Sequence, residues 1–185
     1  MLRDSNAPMS LVWYFAYGSN MNSGTFRGRR GIEYARAVPT RAPGWRLVLD
    51  KSSVFPLGET FANILPDAAA ETLGVAFEVD ESDLVQIDWS EAVPLGSYQR
   101  IEIEVAALTP MEDGPSSAFT LTSEKRAARP SPSVRYMQLV IDGAIEHGLP
   151  AEWVEMLRAV PAYPETRAAR LMRKQLDRLM KRRKR

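Results

Sequence analysis

The 185-residue chain has no cysteine and a single histidine, His147. Without cysteine there are no disulfides, no thiolate metal centres and no cysteine nucleophile. One histidine is too few for a histidine-built zinc site, and it allows a Ser-His-Asp arrangement only if His147 is the base. His147 stands just before Gly148 at the end of an amphipathic segment, where a helix-terminal surface role is expected. Long apolar runs are also missing. The run Leu11 to Tyr17, preceded by an acidic residue and a proline, is seven residues long, too short to span a bilayer and poorly built for a signal peptide. A cytoplasmic protein with no membrane partner is expected.

With 45% hydrophobic and 25% charged residues, the chain is suited to one substantial core rather than two large domains. The net charge of +1 conceals an asymmetry. Residues 167–185 carry ten Lys/Arg and one acid, whereas residues 1–166 carry fourteen Lys/Arg and twenty-two acids. Such a tail can reach for nucleic acid or lie near its own acidic body. No nucleic-acid module accompanies it, so nucleic acid is not expected as a partner. The expected organisation is a domain over 11–163 followed by a basic amphipathic helix over 164–185, with Ala169, Met172, Leu176 and Leu179 on one stripe and Met180 beside it.

Trp13 to Tyr17 is a β-favouring run that enters the turn formers Gly18, Ser19 and Asn20. A glycine there leaves the main chain open to close approach by a ligand, which would meet amide N–H groups of Gly18, Ser19 and Asn20. The same residues also suit an ordinary strand with a solvated turn, and on their own they do not decide. Asn20 can cap a short helix through about Arg29. The run GTFRGRRG lacks the Gly-Lys-Ser/Thr of a phosphate loop and reads as a flexible basic connection. Strands are predicted over Glu33 to Val38, Trp45 to Asp50, Phe61 to Leu65 and Leu73 to Val79, separated by Pro39, Pro43-Gly44, Pro56-Leu57-Gly58 and Pro66-Asp67. Asp80 caps a helix that ends near Trp89, and Gln99 to Leu108 alternates Ile101, Ile103 and Val105 against Arg100, Glu102 and Glu104. Ala118 to Thr122 is its hairpin partner. Ser133 to Gly148 is a helix, and Pro150 starts another.

Without a histidine or cysteine scheme, proton chemistry falls to a carboxylate. Asp88 and Glu91 flank a helix end beside Trp89, with Tyr98 a few residues on, and a glutamate there could be partly desolvated. A cap or turn role for Asp88 and a surface role for Glu91 fit the same residues.

Taken together, these pieces resemble the gamma-glutamylcyclotransferases. The resemblance rests on YFAYGSNM at Tyr14 to Met21, FANIL at Phe61 to Leu65, IDWSEAVPLGSYQRIEIEV at Ile87 to Val105, and PSPSVRYMQLVIDGAIEHGLP at Pro130 to Pro150. It covers roughly residues 13–161 and leaves out the basic tail. It implies an α+β fold, a small, highly curved mixed β-barrel with flanking helices, to which the basic C-terminal helix is added. It also implies a cofactor-free enzyme, with no metal, that releases 5-oxoproline from a small gamma-glutamyl substrate. Tyr14, Phe15, Ala16, Tyr17, Gly18, Ser19 and Asn20 would seat the gamma-glutamyl head group, Glu91 would be the catalytic acid/base, and Tyr98 and Tyr136 would line the pocket. The resemblance leaves the leaving group unnamed and a homodimer open. Two departures stand out: Ala92 replaces the glycine usual after the glutamate, which reads as a minor change, and Phe119 replaces a pocket tyrosine on the late strand. The rival readings are a non-catalytic small-ligand binder of the same fold and an adaptor that uses Lys181 to Arg185.

Overall fold

The computed structural model describes residues 10–53 and 58–165, and beyond them residues 167, 170, 171, 174 and 175. The predicted stripe from Ala169 to Met180 and the run Lys181 to Arg185 lie outside the described residues. Among the described residues six strands form one curled mixed sheet in the order β4-β6-β1-β3-β2-β5: β1 (Leu11–Ala16), β2 (Arg36–Ser52), β3 (Thr60–Asp80), β4 (Gln99–Glu104), β5 (Ala106–Ala107) and β6 (Ser117–Thr122). The β1–β6 pair is parallel; the others are antiparallel. Among the residues described up to 165, three α-helices flank the sheet: α1 (Glu81–Ser90), α2 (Val134–Glu146) and α3 (Ala151–Arg158).

The four strands predicted between Glu33 and Val79 are two long ones, because the prolines do not break them. Backbone N and O of one strand residue point to the same side, and the Pro39 carbonyl accepts from Leu108 N–H on the β5 side. The missing N–H of Pro39, and of Pro43 four residues on, therefore faces the sheet edge and removes no bond to β3. Pro43-Gly44 makes a register shift against β3 instead of an ending. The predicted strand Gln99 to Leu108 is divided at Val105: β4 pairs with β6, while β5 crosses to β2.

Asp80 caps α1 as predicted, whereas Ser133, expected as the first residue of its helix, is the N-cap of α2. Asp80 accepts from Ser82 N–H at 2.8 Å, and Ser133 Oγ accepts from Tyr136 N–H at 3.2 Å. After β1 come a 3-10 turn at Ser19–Met21 and a π-helical turn at Gly24–Arg29. Asn22, not Asn20, supplies the cap there, its Oδ1 accepting from Thr25 N–H at 3.0 Å.

One hydrophobic core packs against the curled sheet and α2. Phe15, Phe26, Phe77, Met21 and Val140 are fully buried, and each such side chain contributes about 1.5–3 kcal/mol through burial. Gly143 of α2 rests on the chain after β1: a Cβ at Gly143 would sit 2.6 Å from Asn22 N and 2.7 Å from Met21 C. The loop that leaves β1 is thus held between the sheet and α2. His147 is half-buried rather than on the surface, edge-on to Phe77 with ring centroids 5.3 Å apart. Burial pulls its pKa down. Among the described residues no helix is long and apolar enough to cross a membrane.

Candidate active site

β1 ends in the middle of the sheet, between β3 and β6, and its exit delivers Gly18, Ser19 and Asn20 to the rim of a cavity of about 290 Å³. Tyr14, Ala16, Tyr17, Gly18, Ser19, Asn20, Glu91, Tyr98 and Tyr136 all line it. Phe15 does not. Alternation along β1 turns its side chain to the other face, where it is fully buried in the core, and only its backbone takes part, the carbonyl accepting from Thr120 Oγ1 at 2.8 Å.

Gly18 has φ −121° and so needs no left-handed backbone. Its bareness answers to close approach instead: a Cβ would lie 2.9 Å from Tyr136 Oη and 3.1 Å from Ala62 Cβ. The Tyr136 hydroxyl accepts from Ala62 N–H at 2.9 Å, and the Tyr98 hydroxyl donates to Ala62 O, also at 2.9 Å. The Tyr17 hydroxyl donates to Leu121 O. Three phenols are thus tied to backbone, their rings forming a wall. Burial raises the pKa of Tyr14, Tyr17, Tyr98 and Tyr136, so these hydroxyls stay protonated.

Glu91 follows α1 as its C-cap, and Ala92 turns the chain with φ 56° and ψ 38°. Its carboxylate is asymmetrically held. Oε1 accepts from Asn20 Nδ2 at 2.9 Å and pairs with Arg30 Nη2 at 2.7 Å, whereas Oε2 has no partner among the described residues. Asn20 Nδ2 also lies 3.1 Å from Tyr14 Oη, which fixes the amide between strand and carboxylate. The Glu91 side chain is 18% exposed. Trp89, expected to stand beside it, is 65% exposed and gives no cover; the shelter comes from Arg30 and the loop.

Asp88 lies outside the cavity wall. It pairs with Arg100 of β4 at 3.0 Å, and burial raises its pKa against the opposing pull of Arg100. Phe119 is also absent from the wall; the Arg100 guanidinium lies 5.5 Å from its ring centroid, and Leu121 is the β6 residue that reaches the cavity. A hydroxyl lost at position 119 is therefore not lost from the cavity.

Sequence reasoning missed several lining residues. Arg29 and Arg30 come from the run read as a flexible connection, Glu59 from just before β3, Phe61 from its start, and Arg135 from α2. Glu165 lines the cavity too, although it falls past the expected domain boundary at 163. Tyr163 brings it there, since Tyr163 N–H donates to Pro132 O at 3.0 Å and its carbonyl accepts from Val134 N–H at 2.8 Å. Behind the wall, Lys51 is 3% exposed, donates to Ser97 Oγ at 2.6 Å and stands 4.6 Å from the Tyr98 ring centroid. Burial lowers its pKa while Glu91 opposes the shift. Apart from the basic run that holds Arg29 and Arg30, no charge or turn signal marked these positions, because each depends on which elements become neighbours.

Residues 71–157 match the model of the AIG2-like family. A human gamma-glutamylcyclotransferase is 31% identical over 154 residues, covering 80% of this chain and 77% of its own. The chain belongs to the gamma-glutamylcyclotransferase family, a family of enzymes. The gamma-glutamyl cyclotransferase aclK of Aspergillus oryzae is 34% identical over 167 residues, which cover 80% of this chain and 60% of the fungal protein. A solved gamma-glutamyl cyclotransferase superposes with a TM-score of 0.75 at 24% identity, covering 94% of this chain and 99% of that one, and so shares the fold. Within the cyclotransferase fold, the AIG2-like match begins after Gly18 and Asn20 and includes Glu91 and Tyr136.

Proposed function

We propose that this protein cyclises a small gamma-glutamyl amide to 5-oxoproline and a free amine or amino acid, with Glu91 moving the protons. The observation that carries the reading is the divided role of the Glu91 carboxylate: one oxygen is held by Asn20 and Arg30, while the other makes no hydrogen bond or ion pair among the described residues, on a side chain that lines the cavity. A cavity of about 290 Å³ is near the lower limit of ligand pockets, about 300–1,000 Å³, and suits a substrate of amino-acid size.

In a gamma-glutamyl amide the α-amine lies close enough to its own γ-carbonyl to close a five-membered ring, so the protein needs no nucleophile. Glu91 Oε2 takes a proton from the α-ammonium. The freed nitrogen attacks the γ-carbon, the new C–N bond forms, and the carbonyl electrons move to oxygen. A second proton leaves the ring nitrogen as the old C–N bond breaks. Both protons end on the departing nitrogen, and Glu91 is again a carboxylate. Backbone N–H groups at Gly18, Ser19 and Asn20 are the donors assigned to the substrate carboxylate or to the developing oxyanion. The rings of Tyr14, Tyr17, Tyr98 and Tyr136 and the Cβ of Ala16 shape the space around the glutamyl chain.

The test is a panel of gamma-glutamyl amides with different leaving groups, read by 5-oxoproline release. At least one is expected to turn over without added metal or nucleotide, at a rate that a chelator leaves unchanged. Release only when a metal or nucleotide is supplied, or from no member of the panel, would remove the mechanism.

A further inference from the structure

Arg30 is joined to the end of α1 at three points. Its Nη2 pairs with Glu91 Oε1 at 2.7 Å, its Nη1 donates to Ser90 Oγ, and its carbonyl accepts from Gln86 Nε2. Ser90 Oγ in turn donates to Ile87 O at 2.8 Å, so the helix end and the basic loop form one hydrogen-bonded unit. Immediately after Arg30, Gly31 turns the chain with φ 72°. The Arg30 side chain is 16% exposed, and its planar guanidinium fork spans the adjacent Ser90 and Glu91, which a point-charge ammonium cannot reproduce. Arg30 and Asn20 act on the same oxygen of Glu91, from the loop side and the basic side.

We infer that Arg30 is a positioning residue for the reaction: by holding Oε1 it fixes the direction in which Oε2 faces the substrate. This rests on the cyclotransferase reading, in which Oε2 moves the protons. Arg30 itself touches no reacting atom. Its loss should therefore reach catalysis only through Glu91, and a misplacement of about 1 Å at a proton-transferring group costs on the order of a hundredfold.

The experiment measures turnover of gamma-glutamyl-alanine and gamma-glutamyl-ethylamide, which differ by the leaving-group carboxylate, for the parent, Arg30→Met, Arg30→Lys, Glu91→Gln and the Arg30→Met/Glu91→Gln double variant. Crystal structures of the two single Arg30 variants and of the parent accompany it. Arg30→Met is expected to lower kcat about tenfold to a hundredfold on both substrates with KM held within about twofold. Arg30→Lys should recover part of the loss. In the Glu91→Gln background, Arg30→Met should cost nothing further, because the residue acts through Glu91. The Glu91 carboxylate should move away from Asn20 in the Arg30→Met structure. A loss confined to the alanine compound would make Arg30 a reader of the leaving-group carboxylate and overturn the inference. So would a raised KM with kcat intact, or a full further loss in the double variant. If the parent turns over neither compound, it is the reaction assigned above that fails on them, and the crystal structures still decide the positioning: an unmoved Glu91 carboxylate in both Arg30 variants overturns it. If Arg30→Met does not fold, Arg30→Lys carries the same comparisons.

Discussion

Glu91 and Asp88 are three residues apart at one helix end, yet they face different neighbours, and this makes them a matched pair for mutation. Glu91→Gln keeps the contact with Asn20 and the size of the side chain but cannot accept and return a proton. Turnover is expected to fall about a hundredfold to ten-thousandfold, with ligand affinity by calorimetry near that of the parent. Asp88 pairs with Arg100 and takes no part in the cavity wall, so Asp88→Asn should cost less than about tenfold in turnover, as expected for a partly exposed ion pair. A deeper loss in Asp88→Asn with the fold intact would mean that the wrong carboxylate has been assigned. Gly18 answers a different question, that of space. Because a Cβ at this position would stand 2.9 Å from Tyr136 Oη, Gly18→Val must displace the tyrosine wall, and loss of gamma-glutamyl ligand binding is expected. Parental binding and turnover in Gly18→Val would identify the loop as ordinary surface.

At the level of elements, the turn after α1 carries a strain that the sequence did not reveal. Ala92 is the one non-glycine residue with positive φ among the described residues, at 56°. Leu95 N–H and Ser97 N–H both donate to its carbonyl, at 3.1 and 3.0 Å, and hold it there. The replacement of the family's glycine by alanine, minor as the sequence reads, thus falls on a backbone that disfavours a Cβ by about 1–2 kcal/mol. Ala92→Gly relieves that strain but gives the unfolded chain more freedom, worth about 0.4–1 kcal/mol. The net expectation is a gain of roughly 0.5–1 kcal/mol in urea unfolding; a loss of similar size would show that the turn relaxes around alanine without cost. The start of α1 was legible because its signal is local: Asp80 caps through its own next turn. The two long strands were not, since a proline interrupts a strand only when its missing N–H faces a partner, and the partner is set by the sheet.

Over the whole molecule, the site is held from two sides, by the sheet that ends β1 and by α2 pressed on the loop. Gly143 marks that contact. In an exposed helix, Gly→Ala stabilises by about 0.5–1 kcal/mol, but here the added Cβ would stand 2.6 Å from backbone N of Asn22. Gly143→Ala is therefore expected to destabilise by about 1–3 kcal/mol through overpacking. Its melting temperature should drop by several degrees, with turnover reduced as the loop shifts. A raised melting temperature would show that α2 does not bear on the loop in this way.

Written along the chain are the strand-to-glycine-loop entry at Gly18, the capped start of α1, the helical stretch that becomes α2, and, through a resemblance spread over four segments, the family and its curled α+β fold. The sequence also brought Tyr14, Asn20, Glu91, Tyr98 and Tyr136 forward as candidates, because local patterning and motif order are written along the chain. Which of their atoms meet depends on the folded chain. Asn20 and Glu91 are separated by 71 positions, and Tyr136 and Ala62 by 74. Phe15 turns to the core while its neighbours face the cavity, Phe119 leaves the wall to Leu121, and Arg30 emerges from a run that looked like a loose connection to hold one oxygen of Glu91. The physical reason is the same in each case. A side chain's electrostatic surroundings and free volume come from strands and helices distant in sequence, and those are fixed only once the sheet curls and α2 closes over the loop.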